Sequence, residues 1–136
     1  MKRVTGIGGI FFKCENPQST LRWYSEHLGV STVGETGVFE WMPKDRPGEL
    51  GHTVWGPFEK GTKYFTPSKK DFMINYRVEN LDALIEQLKK EGVEVIGEIE
   101  NYDYGKFGWI MDPEGNKIEL WEPVDKIFRK ANGLDG

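Results

Sequence analysis

One order of elements is written twice in this chain: a strand, a helix, then three strands. In the first copy, residues 4–12 read as a buried, Gly-rich strand. Asn16-Pro17 then supplies a helix cap followed by proline at the first helical position. Leu21, Tyr24 and Leu28 recur at helical spacing until Gly29 stops the helix, and residues 30–33, 37–42 and 52–55 are three short strand candidates. In the second copy, residues 71–78 form a strand with Phe72, Ile74, Tyr76 and Val78 on one face. Asn80 caps a helix with the stripe Leu81, Leu84, Ile85 and Leu88, Gly92 ends it, and strands follow at 93–99, 105–111 and 117–121. Landmarks of different kinds repeat: Asn16 with Asn80, Gly29-Val30 with Gly92-Val93, and Trp55-Gly56-Pro57 with Trp121-Glu122-Pro123, at separations of 63 to 66 residues. That near-constancy points to an internal duplication. The reading is a single α+β domain, residues 1–136, of two tandem βαβββ modules at 4–57 and 71–123. A polar linker, 58–70, joins them, and the tail, 124–136, is read either as a short helix or as a fraying end.

The second copy closes on Asp112-Pro113-Glu114-Gly115-Asn116, a dense group of turn formers between apolar runs. Polar and apolar positions alternate behind it, so Glu119 points to the face opposite Ile118 and Leu120. If that face is the inner one, the carboxylate needs a partner, a ligand or a metal.

Composition excludes several function classes. A net charge of −4 argues against nucleic acid as a partner, since phosphate binding needs a basic surface. The single cysteine, Cys14, rules out an intrachain disulfide and a multi-thiolate metal site. No apolar run reaches the roughly 20 residues of a membrane span and no signal peptide is evident, so a cytoplasmic protein is expected. Gly6, Gly8 and Gly9 lie inside a strand rather than between a strand and a helix, which weakens any phosphate-loop reading.

The duplicated βαβββ order, closed by the turn 112–116 and Glu119-Leu120, resembles the vicinal oxygen chelate superfamily. This is the family of glyoxalase I, bleomycin-resistance proteins and extradiol dioxygenases. The likeness covers residues 4–123, and Trp23-Tyr24 ahead of Leu28-Gly29 adds to it. It implies a curved mixed sheet forming a cup, with helices outside and a ligand within. Metal-dependent members carry His, Glu or Gln at four inward positions, which fall here on Gly9, Thr53, Met73 and Glu119. Only Glu119 is of ligand type, so no cofactor and no divalent metal are expected. His52 would turn inward only through a one-residue bulge; the plainer expectation is that it caps a turn or packs between helix and sheet. His27 suits the last turn of the first helix.

Strand parity predicts that Ile7, Gly9, Phe11 and Lys13 face the cup while Gly8, Ile10 and Phe12 face the helix. The expected ligand-contacting set is Phe11, Thr53, Trp55, Met73, Asn75, Arg77, Tyr104, Trp109 and Trp121 around Glu119. An aromatic wall with a few convergent polar groups is the composition of a small-molecule pocket. Glu119 is read as a ligand anchor or general base, or as the structural partner of Arg77, Lys13 or Lys117. The resemblance implies a metal-free small-molecule-binding protein of the glyoxalase and bleomycin-resistance type. Its alternative is a lyase or isomerase acting on a small carbonyl or hydroxy compound with Glu119 as base. A regulatory or interaction module is a third reading. The same resemblance implies a homodimer.

Overall fold

The caps written into the sequence close both long helices. Asn16 accepts a hydrogen bond from the Ser19 amide, Pro17 opens helix α1 (Pro17–Leu28), and Gly29 at φ 67° turns the chain out of it. Asn80 does the same for α2 (Leu81–Lys90) through the Ala83 amide, and Gly92 follows at φ 83°. The computed structural model describes residues 2–134; Met1 and the last two positions of the expected tail lie outside the described residues.

Eight strands form one curved sheet: β1 (Val4–Cys14), β2 (Thr32–Val33), β3 (Thr36–Trp41), β4 (Gly51–Glu59), β5 (Phe72–Val78), β6 (Val95–Tyr102), β7 (Gly105–Met111) and β8 (Lys117–Pro123). Their order is β2-β3-β4-β1-β5-β8-β7-β6. The first strands of the two copies, β1 and β5, pair antiparallel at the centre, and each pairs in parallel with the last strand of its own copy. The architecture is the α+β arrangement of two βαβββ units joined edge to edge. Strand β4 runs through Phe58 and Glu59, two residues into the expected linker.

One face of the sheet carries α1 and α2. The stripe of α2 packs Leu81, Leu84 and Ile85 on Val78 and Leu120, with Tyr76 and Ile118 beside them. Helix α1 is seated more lightly: Tyr24 meets Phe12 and Trp55, and none of its residues is buried. The opposite, inner face carries Phe11, Met73, Phe65 and Trp109 in one cluster and Val38, Trp121 and Phe128 in another.

Two parity expectations are corrected. In β1 the register slips between Ile7 and Gly9, because Ile7 pairs with Tyr76 and Gly9 with Asn75. The extra residue is Gly8, which turns inward beside Gly9, while Ile7 goes to the outer face. In β4, Val54 and Phe58 pack into the inner clusters while Trp55 stacks on Phe12 and Tyr24 under α1. Thr53 shares the parity of Trp55 and donates its hydroxyl to the Ile7 carbonyl at 2.6 Å. Trp55 therefore does not line the cup, and Thr53 meets the inner face only at its edge, where its Oγ1 accepts from Trp41 Nε1 at 2.8 Å; His52 turns inward without any bulge. The Trp55–Trp121 match is out of step by one face.

The tail forms a third helix, α3 (Asp125–Ala131), and it lies on the inner face. Its one buried residue, Phe128, sits on Trp121 and His52 at ring distances of 5.3 and 5.0 Å. Burying such a ring stabilises the fold by about 2–3 kcal/mol.

Candidate functional site

Two polar groups stand on the inner face. The first is built around Glu119, which β8 delivers inward because Ile118 and Leu120 are committed to α2. The turn before β8 is held tightly: Asp112 accepts hydrogen bonds from the Glu114 and Asn116 amides and from the Asn116 side chain, and Gly115 takes φ 81°. Glu119 is 2% exposed. Asn75 Nδ2 donates to one carboxylate oxygen at 2.7 Å; Trp109 Nε1, at 2.9 Å, and the Tyr64 hydroxyl donate to the other. These three donors are uncharged, so the carboxylate is solvated by protein dipoles.

Parallel pairing of β5 with β8 sets Asn75 directly beside Glu119. A carboxylate accepts, so the amide nitrogen faces it and the amide oxygen faces away. That Oδ1 is buried and has no hydrogen-bond partner among the described residues. Burial of the Tyr64 phenol, followed by the charge of Glu119, pushes its pKa far above the usual tyrosine value. The Lys117 ammonium lies over the Tyr64 and Trp109 rings, at 5.4 and 5.6 Å. Burial lowers its pKa, against the opposing pull of Glu119.

The second group is centred on Arg77. Its guanidinium is clasped between the rings of Trp41 and Trp121, at 5.1 and 5.5 Å. It donates both Nη atoms to Asp125, at 2.9 and 2.6 Å. His52, fully buried, meets the same carboxylate through Nδ1 at 2.9 Å, and Arg129 Nη1 donates to His52 Nε2 at 2.9 Å. That pattern is the Nδ1–H tautomer, with Nε2 as acceptor. Trp41 reaches Arg77 because Gly6 and Gly51 carry no side chain beneath its ring. A cavity of about 200 Å³ opens beside this group, lined by Thr5, Trp41, Arg77, Glu122 and Asp125 among others. None of the cavities described reaches Glu119.

The structure thus brings Met73, Asn75, Trp109 and Phe11 together around or beside Glu119, and places Arg77 and Trp121 in the second group. Tyr104 is 37% exposed at the rim, stacked on Tyr102, with its carbonyl accepting from Trp121 Nε1. Arg77 serves Asp125, and Lys13 lies over the Phe65 ring. Sequence reasoning missed Tyr64 and Phe65, which the linker folds back onto the inner face, and Asp125 and Phe128 of the tail. The signal for the first pair was present: two adjacent aromatics in an otherwise polar stretch. Among the described residues, no group of three or more His, Cys, Asp or Glu side chains is placed to hold a metal ion, and no helix is long and apolar enough to cross a membrane.

A family model described as a glyoxalase-like domain matches residues 9–121. No curated protein matches the chain significantly. Among solved structures, the chain is similar to methylmalonyl-CoA epimerase from Mycobacterium tuberculosis, with 23% identity, 92% of each chain covered and a TM-score of 0.57. It is also similar to a Streptomyces coelicolor methylmalonyl-CoA epimerase variant in complex with 2-nitronate-propionyl-CoA, with 17% identity, 89% and 99% coverage and a TM-score of 0.65. A glyoxalase/bleomycin resistance protein/dioxygenase superfamily member from Vibrio splendidus gives 11% identity, 85% and 97% coverage and a TM-score of 0.55. With the duplicated βαβββ order and the Glu119 strand already in place, the match over residues 9–121 means that this chain belongs to the glyoxalase-like domain family.

Proposed function

We propose that this protein holds a small molecule on the inner face of its cup without a metal, with Glu119 and Asn75 as polar anchors. The observation that carries the reading is the Asn75 Oδ1, buried and unpaired beside a buried carboxylate. A ligand hydroxyl or amide hydrogen is what such an acceptor lacks. Tyr64, 39% exposed, is the most exposed member of the cluster, and its hydroxyl occupies the position a ligand donor would take on Glu119.

The donor set argues against a divalent metal. Gly9 has no side chain, Glu119 already accepts three hydrogen bonds, and both ring nitrogens of His52 are engaged. Elemental analysis of the purified protein tests this directly: about one Zn, Ni, Mn or Fe per chain, lost on Glu119→Ala, would overturn it. A thermal-shift screen of small hydroxy and carbonyl compounds tests the ligand reading. A hit bound roughly tenfold or more weaker by Glu119→Gln supports it, since a charge-assisted hydrogen bond is worth about 1.5–3 kcal/mol. A hit unaffected by that change sinks it.

The second reading is a lyase or isomerase with Glu119 as base. It is favoured by the position of Glu119, a buried carboxylate on the inner face held in one orientation by Asn75 and Trp109, as a general base must be. Deuterium uptake from solvent into a bound carbonyl compound, abolished by Glu119→Gln, separates it from plain binding. We also propose a homodimer formed through the outer face, where Val4, Ile7, Ile10, Phe72 and Trp23 are 40–52% exposed. A cytoplasmic location agrees with the lone free thiol of Cys14.

A further inference from the structure

Helix α3 is an unusual occupant for the Arg77 group. The group is complete without it: Trp41 comes from β3, His52 from β4, Arg77 from β5 and Trp121 from β8, so both modules contribute. Arg77 is clasped by two rings, and its two Nη atoms face one way, toward a planar acceptor. A bidentate guanidinium between aromatic rings is a carboxylate-recognition geometry. The carboxylate that fills it comes from α3, which has seven residues, no side-chain cap at its start and a single buried residue. A helix that short has no stability of its own in water. It is held by Asp125, by Phe128 and by the Arg129 contacts to His52 and Glu40. Asp125 keeps 28% of its side chain exposed and borders the cavity of about 200 Å³.

We propose that the inner face at Arg77 is a binding site for a small aromatic carboxylic acid, and that α3 occupies it in cis, with Asp125 in the place of the ligand carboxylate and Phe128 in the place of its ring. The chemical class follows from what α3 presents. One carboxylate meets Arg77 and His52, and one benzene ring lies on Trp121 and His52. A molecule carrying both groups replaces both anchors at once and enters beside Asp125, through the cavity. The site deepens the reading of the cup as a small-molecule site but uses Arg77 in place of Glu119.

The probe is 3-phenylpropionate, with 3-phenylpropanamide as its uncharged control, titrated calorimetrically into the 136-residue chain. Phe128→Ala loosens α3 while leaving the Arg77–Asp125 pair intact, and should bind the acid at least tenfold more tightly than the unaltered chain, with no gain for the amide. Asp125→Ala should do the same. If it fails to fold, because Arg77 and His52 lose their partner, Phe128→Ala alone decides. Adding Arg77→Met to Phe128→Ala should remove the gain. In the unaltered protein, saturating acid should speed hydrogen exchange of the α3 amides, and the amide should not. Equal affinity of Phe128→Ala and the unaltered chain, or a gain shared by the amide, overturns the proposal. If the acid fails while a screened compound still depends on Glu119, only this inference falls. If the acid binds and nothing depends on Glu119, only the Glu119 reading falls.

Discussion

Arg77 and Asp125 stand 48 residues apart in the chain and meet through two hydrogen bonds, fastening the tail to a central strand. Burial by itself would raise the pKa of the Asp125 carboxyl. Hydrogen bonds from His52 and Arg77, with the charge of Arg77, outweigh it and hold the pKa at about 2, against 3.8 for an ordinary aspartate. A depressed folded-state value means that the ionised form stabilises the fold. That contribution is complete above the unfolded value and is lost as pH falls toward 2.

Urea unfolding between pH 4.5 and pH 2 should therefore show the unaltered protein losing roughly 2 kcal/mol more than Asp125→Asn, the size of a shift approaching two pKa units. Identical pH slopes for the two proteins would mean that the pair contributes nothing in solution.

The Tyr64 phenol should ionise well above the usual tyrosine range, because its ring is partly desolvated and its hydroxyl faces the Glu119 carboxylate. Absorbance at alkaline pH checks this: a fraction of the phenolate signal should resist titration and vanish in Tyr64→Phe. The same substitution removes one donor from Glu119 and should cost about 1–3 kcal/mol in stability.

Gly8→Ala should destabilise by about 1–3 kcal/mol, since a methyl there would lie 2.2 Å from Asn75 Oδ1 and 2.9 Å from Arg77 Cγ. Gly61→Ala is the control: its nearest contact would be 3.8 Å away, and the change should stay within about 0.5 kcal/mol. Thermal melts of the two variants, side by side, decide it.

Sedimentation equilibrium at micromolar concentration should give twice the chain mass of 15.6 kDa. Ile10→Asp, placed at the centre of the exposed outer patch, should return it to a single chain. A monomeric unaltered protein removes the dimer.

The second module was the more legible half because its signals agree with one another. Asn80, the stripe of α2, the turn 112–116 and the alternation through Glu119 each demand the same arrangement. In β4 they do not: His52 and Val54 on one face, Thr53 and Trp55 on the other, put one polar and one apolar residue on each side, so hydrophobic alternation carries no parity. The bulge at Gly8 was invisible because glycine leaves no pattern in a strand. The sequence does not decide the tail, because Phe128 sits among charges and its seat depends on Trp121 and His52, which only tertiary structure supplies. Hence parity brings Asn75, Met73 and Trp109 to the face of Glu119, while Trp55 lies on the opposite face and Thr53 reaches only Trp41 at the edge of the Arg77 group.

The paired glycines at the start of the inner face also bear on reversibility. A side chain at position 9 would begin 2.6 Å from the Phe11 ring and 3.2 Å from Asn75 Cβ, and one at position 8 would begin inside the Asn75 amide. A histidine written into either position has nowhere to go while those neighbours stay. Converting this cup into a metal chelator is therefore a concerted rebuild of at least three positions, and single-residue engineering of a metal centre here should end in an unfolded chain rather than a weak enzyme.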